Sequence, residues 1–230
     1  MTEAALVDAA LAHLASDGFI AYPTETVWGL GACADRPRAI DRLIEWKGRA
    51  SNAPMSLLVS SVRDAALLGC ALEGDAARLA EAFWPGPLTI VVPSAKRFAD
   101  GVGGEEGALG LRCSTHPLAR ALAVDLAARK MGPLTSTSLN RSGEPPARTR
   151  ADAEALLAER GGADGPLLVI GDTDAGDESP STVVDCTQTR VRILRAGAID
   201  SARIEAVLAD APSASSSTHS SASSPQEIRR

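Results

Sequence analysis

Aromatic residues are scarce in this 230-residue chain, and it has no excess of positive charge. Phe, Trp and Tyr make up 3% of the residues, and none of them lies beyond Phe98. Lys and Arg number 23 against 29 Asp and Glu, which gives a formal charge of −6. These numbers exclude a surface that is basic throughout, as in many nucleic-acid-binding proteins, and argue against base-stacking platforms after residue 98. They still allow a basic cleft inside an acidic shell.

Membrane-spanning, export and zinc-binding patterns are also missing. No apolar run approaches the roughly 20 residues that cross a bilayer, and the acidic N-terminus lacks the basic start of a signal peptide. The cysteines form no C-x-x-C pair, which argues against a structural zinc site. We therefore expect a cytoplasmic protein without a membrane partner or a protein-bound metal. Its cysteines are expected to be buried free thiols, namely Cys33, Cys70, Cys113 and Cys186.

The apolar periodicity predicts helices and strands that alternate along the chain, as in an α/β or α+β domain built around one sheet. Helices are predicted over 3–15, 36–46, 62–68, 75–83, 117–130, 151–159 and 201–209. Strands are predicted over 19–22, 57–59, 88–92, 109–112, 134–136, 167–170, 182–184 and 191–194. Asp35 is expected to cap the second helix, and Thr149 with Asp152 resembles a capping box for the sixth.

The composition changes at Pro212. Residues 213–224 contain eight serines in twelve positions and no large apolar residue. Such a segment cannot bury enough surface to offset the entropy lost on ordering. The sequence therefore predicts one domain over 1–211 and a disordered tail over 212–230.

Two polar segments in the first half of the chain could bind a ligand. The first, at 22–31, reads Tyr-Pro-Thr-Glu-Thr-Val-Trp-Gly-Leu-Gly and combines hydroxyls with glycines that allow close backbone approach. Taken alone, the segment is more typical of a tight turn with local hydroxyl hydrogen bonds. In the second, Lys47 and Arg49 flank a glycine after a helix, where both cations could face a polyphosphate. They could instead be solvated cations at a helix C-terminus.

A third segment and two arginines complete the candidate set. Ser136, Ser138 and Asn140 alternate, so they share one face of an extended chain, although a turn-rich loop is the alternative. Arg112 and Arg195 each end an apolar stretch, and a partly buried Arg needs an anionic partner. A ligand or an internal carboxylate would serve that need equally well.

Several common catalytic patterns are absent from the sequence. It contains neither a G-x-x-x-x-G-K-[ST] phosphate loop nor a G-x-G-x-x-G turn, and no G-x-S-x-G elbow. Among the histidines, His116 alone could lie near a site, as a base or as a structural loop residue.

Taken in order over residues 5–205, these segments resemble the YrdC family, the threonylcarbamoyl-AMP synthases. The family's K-x-R and S-x-N pairs are matched by Lys47 with Arg49 and by Ser138 with Asn140. The Y-P-T-E-T-V-W-G-L-G, S-G-E-P-P, S-T-V-V-D and I-L-R-x-G segments also match in order and spacing. The resemblance implies the single-domain form of an α/β fold, with a twisted mixed sheet, flanking helices and an open cleft.

The resemblance implies an enzyme, a nucleotidyltransferase. It would make threonylcarbamoyl-AMP and pyrophosphate from L-threonine, bicarbonate and ATP, with Mg²⁺ accompanying ATP. Partner proteins would use this intermediate for threonylcarbamoyladenosine modification of tRNA, and direct contact with tRNA stays open. The alternatives are an inactive or weakly active RNA- or nucleotide-binding paralogue, and an accessory domain of a carbamoyltransferase.

The same resemblance assigns residues. Threonine would be held by Thr26, Arg112, Ser136 and Ser181, with Arg112 on its carboxylate. ATP would be held by Lys47, Arg49, Ser138, Asn140 and Arg195, and by backbone at Ala108 and Pro146. Lys47 and Arg49 are the catalytic candidates, expected to stabilise the leaving pyrophosphate. The chain departs from the family at Trp28, where Tyr is usual, at Ala50, where Pro is usual, and at Leu58, where some members have His.

Overall fold

A computed structural model describes residues 2–49, 54–104, 107–159, 167–168 and 179–210. Ala50, positions 169–170 of a predicted strand and the predicted tail lie outside these residues. The described helices are α1 (Glu3–Ala15), α2 (Pro37–Lys47), α3 (Val62–Leu67), α4 (Gly74–Phe83), α5 (Pro117–Ala128), α6 (Arg150–Glu159) and α7 (Ser201–Ala209). The described strands are β1 (Phe19–Tyr22), β2 (Gly29–Ala32), β3 (Ser56–Leu58), β4 (Leu88–Pro93), β5 (Ala108–Arg112), β6 (Leu134–Ser138), β7 (Leu167–Leu168), β8 (Thr182–Asp185) and β9 (Arg192–Arg195).

All nine described strands join one mixed sheet, in the order β7-β1-β2-β6-β3-β5-β4-β8-β9. The β1–β7, β3–β5 and β4–β8 pairs are parallel, and the other neighbouring pairs are antiparallel. This arrangement confirms the expected α/β class with a single mixed sheet.

Side-chain alternation gives the central strands one apolar face and one face that lines a cavity. In β4, Leu88, Ile90 and Val92 enter the core, whereas Thr89 and Val91 line the cavity. Strand β5 repeats the pattern, with Leu109 and Leu111 in the core and Ala108, Gly110 and Arg112 lining the cavity. Because successive side chains of a strand point to opposite faces, a short run of sequence supplies both core and site.

Helices cover both faces of the sheet at the β1 end. Ile20 and Tyr22 pack into a cluster with residues of α1 and α5, whereas Phe19 and Ala21 pack with residues of α2. Strand β1 is therefore buried throughout, as expected for a strand between two layers of helices. The polar segment that follows Tyr22 therefore begins at the end of a strand fixed by packing on both faces.

Most predicted elements are present with boundaries shifted by one or two residues, but two local predictions are wrong. Residues 29–31 of the segment 22–31, for which a tight turn was one of the two interpretations, instead form strand β2 together with Ala32, between β1 and β6. Asp35 does not cap α2, whose N-cap is Arg36 with Pro37 in the first turn. The capping box of α6 is confirmed, since Asp152 N–H donates to Thr149 Oγ1 at 3.0 Å and Thr149 N–H donates to Asp152 Oδ2 at 2.9 Å.

The four cysteines are free thiols, and three of them are buried. Cys186 is only half-buried, which corrects the expectation that all four are buried. Among the described helices, none has the length and apolar character needed to span a bilayer.

Candidate functional site

A cavity of about 1010 Å³ lies on the polar face of the central strands. Its volume is at the upper end of the range for small-molecule sites. Nine of the eleven predicted site residues line it, namely Thr26, Arg49, Ala108, Arg112, Ser136, Ser138, Pro146, Ser181 and Arg195. The fold thus brings together residues that are far apart in sequence.

The two remaining predicted residues, Lys47 and Asn140, do not line the cavity but contact Ser138, which does. Lys47 Nζ donates to Asn140 Oδ1 at 2.6 Å and to Ser138 O at 2.5 Å, and Ser138 Oγ donates to Asn140 Oδ1 at 2.7 Å. Lys47 and Asn140 are only 5% and 9% exposed. Lys47 of the K-x-R pair and both residues of the S-x-N pair therefore form one hydrogen-bonded network, in which Ser138 is the member that lines the cavity.

The end of α2 sets the direction of the two cations. Gly48 adopts a left-handed conformation (φ 62°), which ends the helix and turns the chain after Lys47. Arg49 then reaches the cavity, where Nη1 donates to Thr137 Oγ1 at 3.1 Å and Nη2 donates to Pro54 O at 3.2 Å. Lys47 and Arg49 thus contact neighbouring residues of β6 and of the loop that follows it. Lys47 is buried, whereas Arg49 lines the cavity.

Burial, with a smaller contribution from the Arg49 charge, lowers the pKa of Lys47 from 10.5 to about 7. Burial also lowers the pKa of Arg49. Both shifts show that the folded chain gives these cations less stabilisation than water does. An anionic ligand at this end of the cavity would stabilise the charged forms of both side chains.

Arg112 stands at the end of β5 beside the half-buried carboxylate of Glu25. Its Nη2 donates to Glu25 Oε1 at 2.9 Å and to Thr26 Oγ1 at 3.1 Å, while Nε is buried without a hydrogen-bond partner among the described residues. Desolvation alone would raise the pKa of Glu25, but the Arg112 charge and a Ser114 hydrogen bond outweigh it and hold that pKa below its usual range. The sequence left open whether Arg112 has an internal partner, and Glu25 is that partner.

Arg195 ends β9 at the other wall and contacts oxygens of Ser181. Nη2 donates to Ser181 O at 2.8 Å and to Ser181 Oγ at 2.9 Å, and Thr89 Oγ1 lies 3.1 Å from Ser181 Oγ. Arg195 stays exposed overall, but desolvation of its guanidinium, followed by the Arg112 charge, lowers its pKa. Arg195 has no carboxylate partner among the described residues, so its charge is available to an anionic ligand.

The charge of the cavity lining is positive. Four arginines and one carboxylate are found among the described lining residues, namely Arg49, Arg112, Arg192, Arg195 and Asp185. Hydroxyl groups supply most of the other polar atoms. A positively charged, hydroxyl-rich cavity favours anionic ligands such as phosphates and carboxylates.

A family model described as Sua5_yciO_yrdC, telomere recombination, matches residues 12–197. The chain belongs to this family. A threonylcarbamoyl-AMP synthase of Xanthomonas euvesicatoria is 41% identical over 179 residues, which cover 76% of this chain and 90% of the relative. A threonylcarbamoyl-AMP synthase of Chromohalobacter salexigens is 38% identical over 177 residues, with the same two coverages.

Solved structures of the Sua5/YciO/YrdC family share the fold. P. abyssi Sua5 in complex with L-threonine superposes with a TM-score of 0.76 at 29% identity, covering 90% of this chain and 58% of the longer Sua5 chain. E. coli YciO superposes with a TM-score of 0.72 over 86% of this chain and 92% of its own. At 22% identity the YciO match supports the fold alone.

Several residues that line the cavity or contact its lining residues were not assigned from the sequence. Thr89 is buried and hydrogen-bonded to Ser181, and its signal was a polar residue within the apolar strand 88–92. Asp185 lies at the end of β8 and lines the cavity. Glu25 belongs to the polar segment 22–31, but nothing in the sequence pairs it with a residue 87 positions away. His116 precedes α5 as its N-cap and is not among the cavity-lining residues.

Two departures from the family pattern are accommodated in the core. Trp28 is fully buried, lines the cavity and packs with the residues around α2. Leu58 is buried in the cluster that joins α1, α5 and β6. Neither change removes a charged group from the cavity.

Proposed function

We propose that this chain is a threonylcarbamoyl-AMP synthase, and that the cavity binds ATP and L-threonine together. The supporting observation is the meeting of the Lys47–Ser138–Asn140 network, Arg49, Arg112 and Arg195 around one cavity. The curated relatives described above carry the same activity in their names. An inactive binding paralogue is the weaker alternative, because those relatives are named as synthases.

The two substrates would occupy different parts of the cavity. Threonine fits the part lined by Thr26, Arg112, Ser136 and Ser181, where a guanidinium can take its carboxylate and hydroxyls can take its polar groups. The structure of P. abyssi Sua5 in complex with L-threonine supports an amino-acid subsite in this fold.

ATP fits the remaining charged surface. Arg49, Ser138 and Arg195 line the cavity, and backbone at Ala108 and Pro146 borders it. Lys47 and Asn140 would act on the nucleotide through Ser138, or directly if the ligand displaces their present hydrogen bonds. We retain the hypothesis that Lys47 and Arg49 stabilise the leaving pyrophosphate.

The proposed reaction needs no protein nucleophile. The unprotonated amine of threonine adds to bicarbonate, and water leaves to give a carbamate. A carbamate oxygen then attacks the α-phosphorus of ATP, and the bond to the bridging oxygen of pyrophosphate breaks. The contribution of the protein is to align the reactants and to stabilise charge that moves onto the leaving group.

Mg²⁺ is part of the proposal as the ion that accompanies ATP. Asp185 is the sole carboxylate among the described lining residues, so the donor set suits an ion held mainly by phosphates and water. When bound, the ion would neutralise phosphate charge. Nucleotidyl transfer, a cytoplasmic location and delivery of the product to tRNA-modifying partners complete the proposal.

Product identification tests this function. Incubation with ATP, Mg²⁺, L-threonine and bicarbonate is expected to yield threonylcarbamoyl-AMP and pyrophosphate in equal amounts, as measured by mass spectrometry and a pyrophosphate assay. Omission of threonine or bicarbonate should abolish both products. ATP turnover that is independent of threonine, or RNA binding without turnover, would reject the synthase assignment.

Variants of Arg49 and Lys47 test the roles proposed for these two cations. Arg49→Ala is expected to lower kcat/KM by about 100-fold, since it removes a charge from the phosphate end. Arg129→Ala removes an exposed arginine whose ion pair with Asp8 lies away from the cavity, and is the matched control. Unchanged pyrophosphate release by Lys47→Ala would rule out the role assigned to Lys47.

A further inference from the structure

Glu25 forms an ion pair with Arg112, the residue to which the proposed function assigns the threonine carboxylate. Glu25 itself does not line the cavity, and its side chain is 16% exposed against 8% for Arg112. A carboxylate behind a ligand-binding guanidinium can act on the ligand only through that guanidinium.

The hydrogen bonds fix one end of the Arg112 side chain. Nη2 carries two hydrogens, and its two acceptors are Glu25 Oε1 at 2.9 Å and Thr26 Oγ1 at 3.1 Å. Nη2 is therefore fully used, and the ligand is left with the donors on Nε and Nη1. Nε is buried and has no partner within the described part of the chain, as expected of a donor kept for a ligand or for a small shift on binding.

Glu25 is itself held in place by the start of α5. Ser114 Oγ donates to Glu25 Oε2 and accepts from the backbone N–H of His116 at 3.1 Å. The contacts run without a break from the N-terminus of α5 through Ser114 and Glu25 to Arg112. Rotation of the Arg112 head group would break the Glu25 contact and leave a buried guanidinium and a half-buried carboxylate unpaired, which is costly.

The charges around the cavity give a second reason for a carboxylate at position 25. Arg112 and Arg195 lie close enough for the charge of one to lower the pKa of the other. With no anion present, two guanidinium groups at one cavity would repel each other and splay apart. An ionised Glu25 offsets one of these charges from outside the cavity, where it does not compete for the ligand's position.

We propose that Glu25 is a positioning residue that orients Arg112 for the carboxylate of the amino-acid substrate. This inference rests on the proposed function, because it takes Arg112 as the carboxylate ligand. Its effect is confined to the amino-acid subsite, since Glu25 contacts none of the residues assigned to ATP except through Arg112.

Glu25→Gln tests the inference, because Gln keeps the size and one acceptor oxygen while removing the charge. The dissociation constant for L-threonine, measured by titration calorimetry, is expected to rise about tenfold, whereas that for ATP should change less than about twofold. Asp17→Asn makes the same carboxylate-to-amide change in the ion pair with Arg36, away from the cavity, and should alter neither constant. Unchanged or tighter threonine binding by Glu25→Gln would overturn the proposal.

A double-mutant cycle separates positioning from a general structural role. In an Arg112→Lys background, Glu25→Gln should change threonine affinity less than about twofold, because the effect passes through the guanidinium. Equal losses in both backgrounds, or parallel losses of threonine and ATP binding with a lower melting temperature, would reduce Glu25 to a structural residue. A wild-type protein that binds ATP but no threonine would refute the proposed substrate, a result distinct from failure of the Glu25 variants.

Discussion

Lys47 shows how one side chain joins two segments separated by 91 residues in sequence. Its ammonium group meets oxygens of Ser138 and Asn140 with almost no exposure to water. Such burial penalises the charged form, and this is why the pKa of Lys47 falls to about 7. The fold thus shifts the protonation equilibrium of a cation that lies next to the cavity, as is common at functional sites.

The stability of the protein should depend on pH through Lys47. Unfolded Lys47 titrates near 10.5, so between pH 7 and 10.5 the unfolded chain binds a proton that the folded chain has lost. The unfolding free energy of the wild type should therefore rise with pH relative to Lys47→Met, by at most about 1.4 kcal/mol per pH unit. Denaturant unfolding of both proteins at pH 6, 7, 8 and 9 measures this difference. A difference that stays constant over this range would contradict the lowered pKa.

Strand β2 is the element that local sequence signals obscured. Its two glycines suggested a turn, but Leu30 pairs with Ala21 on one side and with Thr137 on the other. A Cβ at Gly31 would lie 2.3 Å from Thr135 O, so glycine is what lets β6 come this close. That approach places Ser136 and Ser138 at the cavity.

Gly31→Ala is expected to lower the unfolding free energy by about 1–3 kcal/mol, because the new methyl group meets backbone that cannot move freely. Gly104→Ala is the matched control, since its Cβ would have ordinary contacts at 3.8 and 3.9 Å. Chemical denaturation measures both variants. Equal stability of the two would show that β6 can shift away from β2 at little cost.

At the scale of the whole molecule, the last described helix closes one side of the fold. α7 packs against α4, and its Ile204 is buried in the same core as Leu88 and Ile90. The sequence predicts no core residue in 212–230. α7 thus contributes the last residue of the described core, and disorder over 212–230 stays a prediction from composition.

Truncation tests where the folded domain ends. A chain that stops after residue 211 is expected to keep its melting temperature within about 2 °C and its ATP affinity, because no apolar surface is lost. A chain that stops after residue 200 loses α7 and exposes the core around Ile204, and should unfold at much lower temperature. Thermal melts and ATP titrations compare the two. Destabilisation by the shorter deletion would show that the tail contributes to the fold.

Much of the fold follows from local patterns, and the failures have physical causes. The strand 88–92 was predictable because its apolar residues are nearly continuous, and α6 because Thr149 and Asp152 cap it reciprocally. β2 was missed because pairing on both sides overrides the weak strand preference of glycine. Asp35 was a reasonable cap by residue type, but the chain enters α2 one residue later.

The sequence by itself determined the chemistry available to this protein. It contains a K-x-R pair, an S-x-N pair, strand ends rich in hydroxyl groups, and arginines that follow apolar runs. These features depend on residue type and spacing, which act locally. Only the tertiary structure decided that Lys47 lies behind Ser138, that Glu25 pairs with Arg112 and that Arg195 has hydroxyl and carbonyl oxygens as partners. Such pairings join residues 14 to 91 positions apart, and the packing of the sheet and helices, which no local pattern encodes, brings them together.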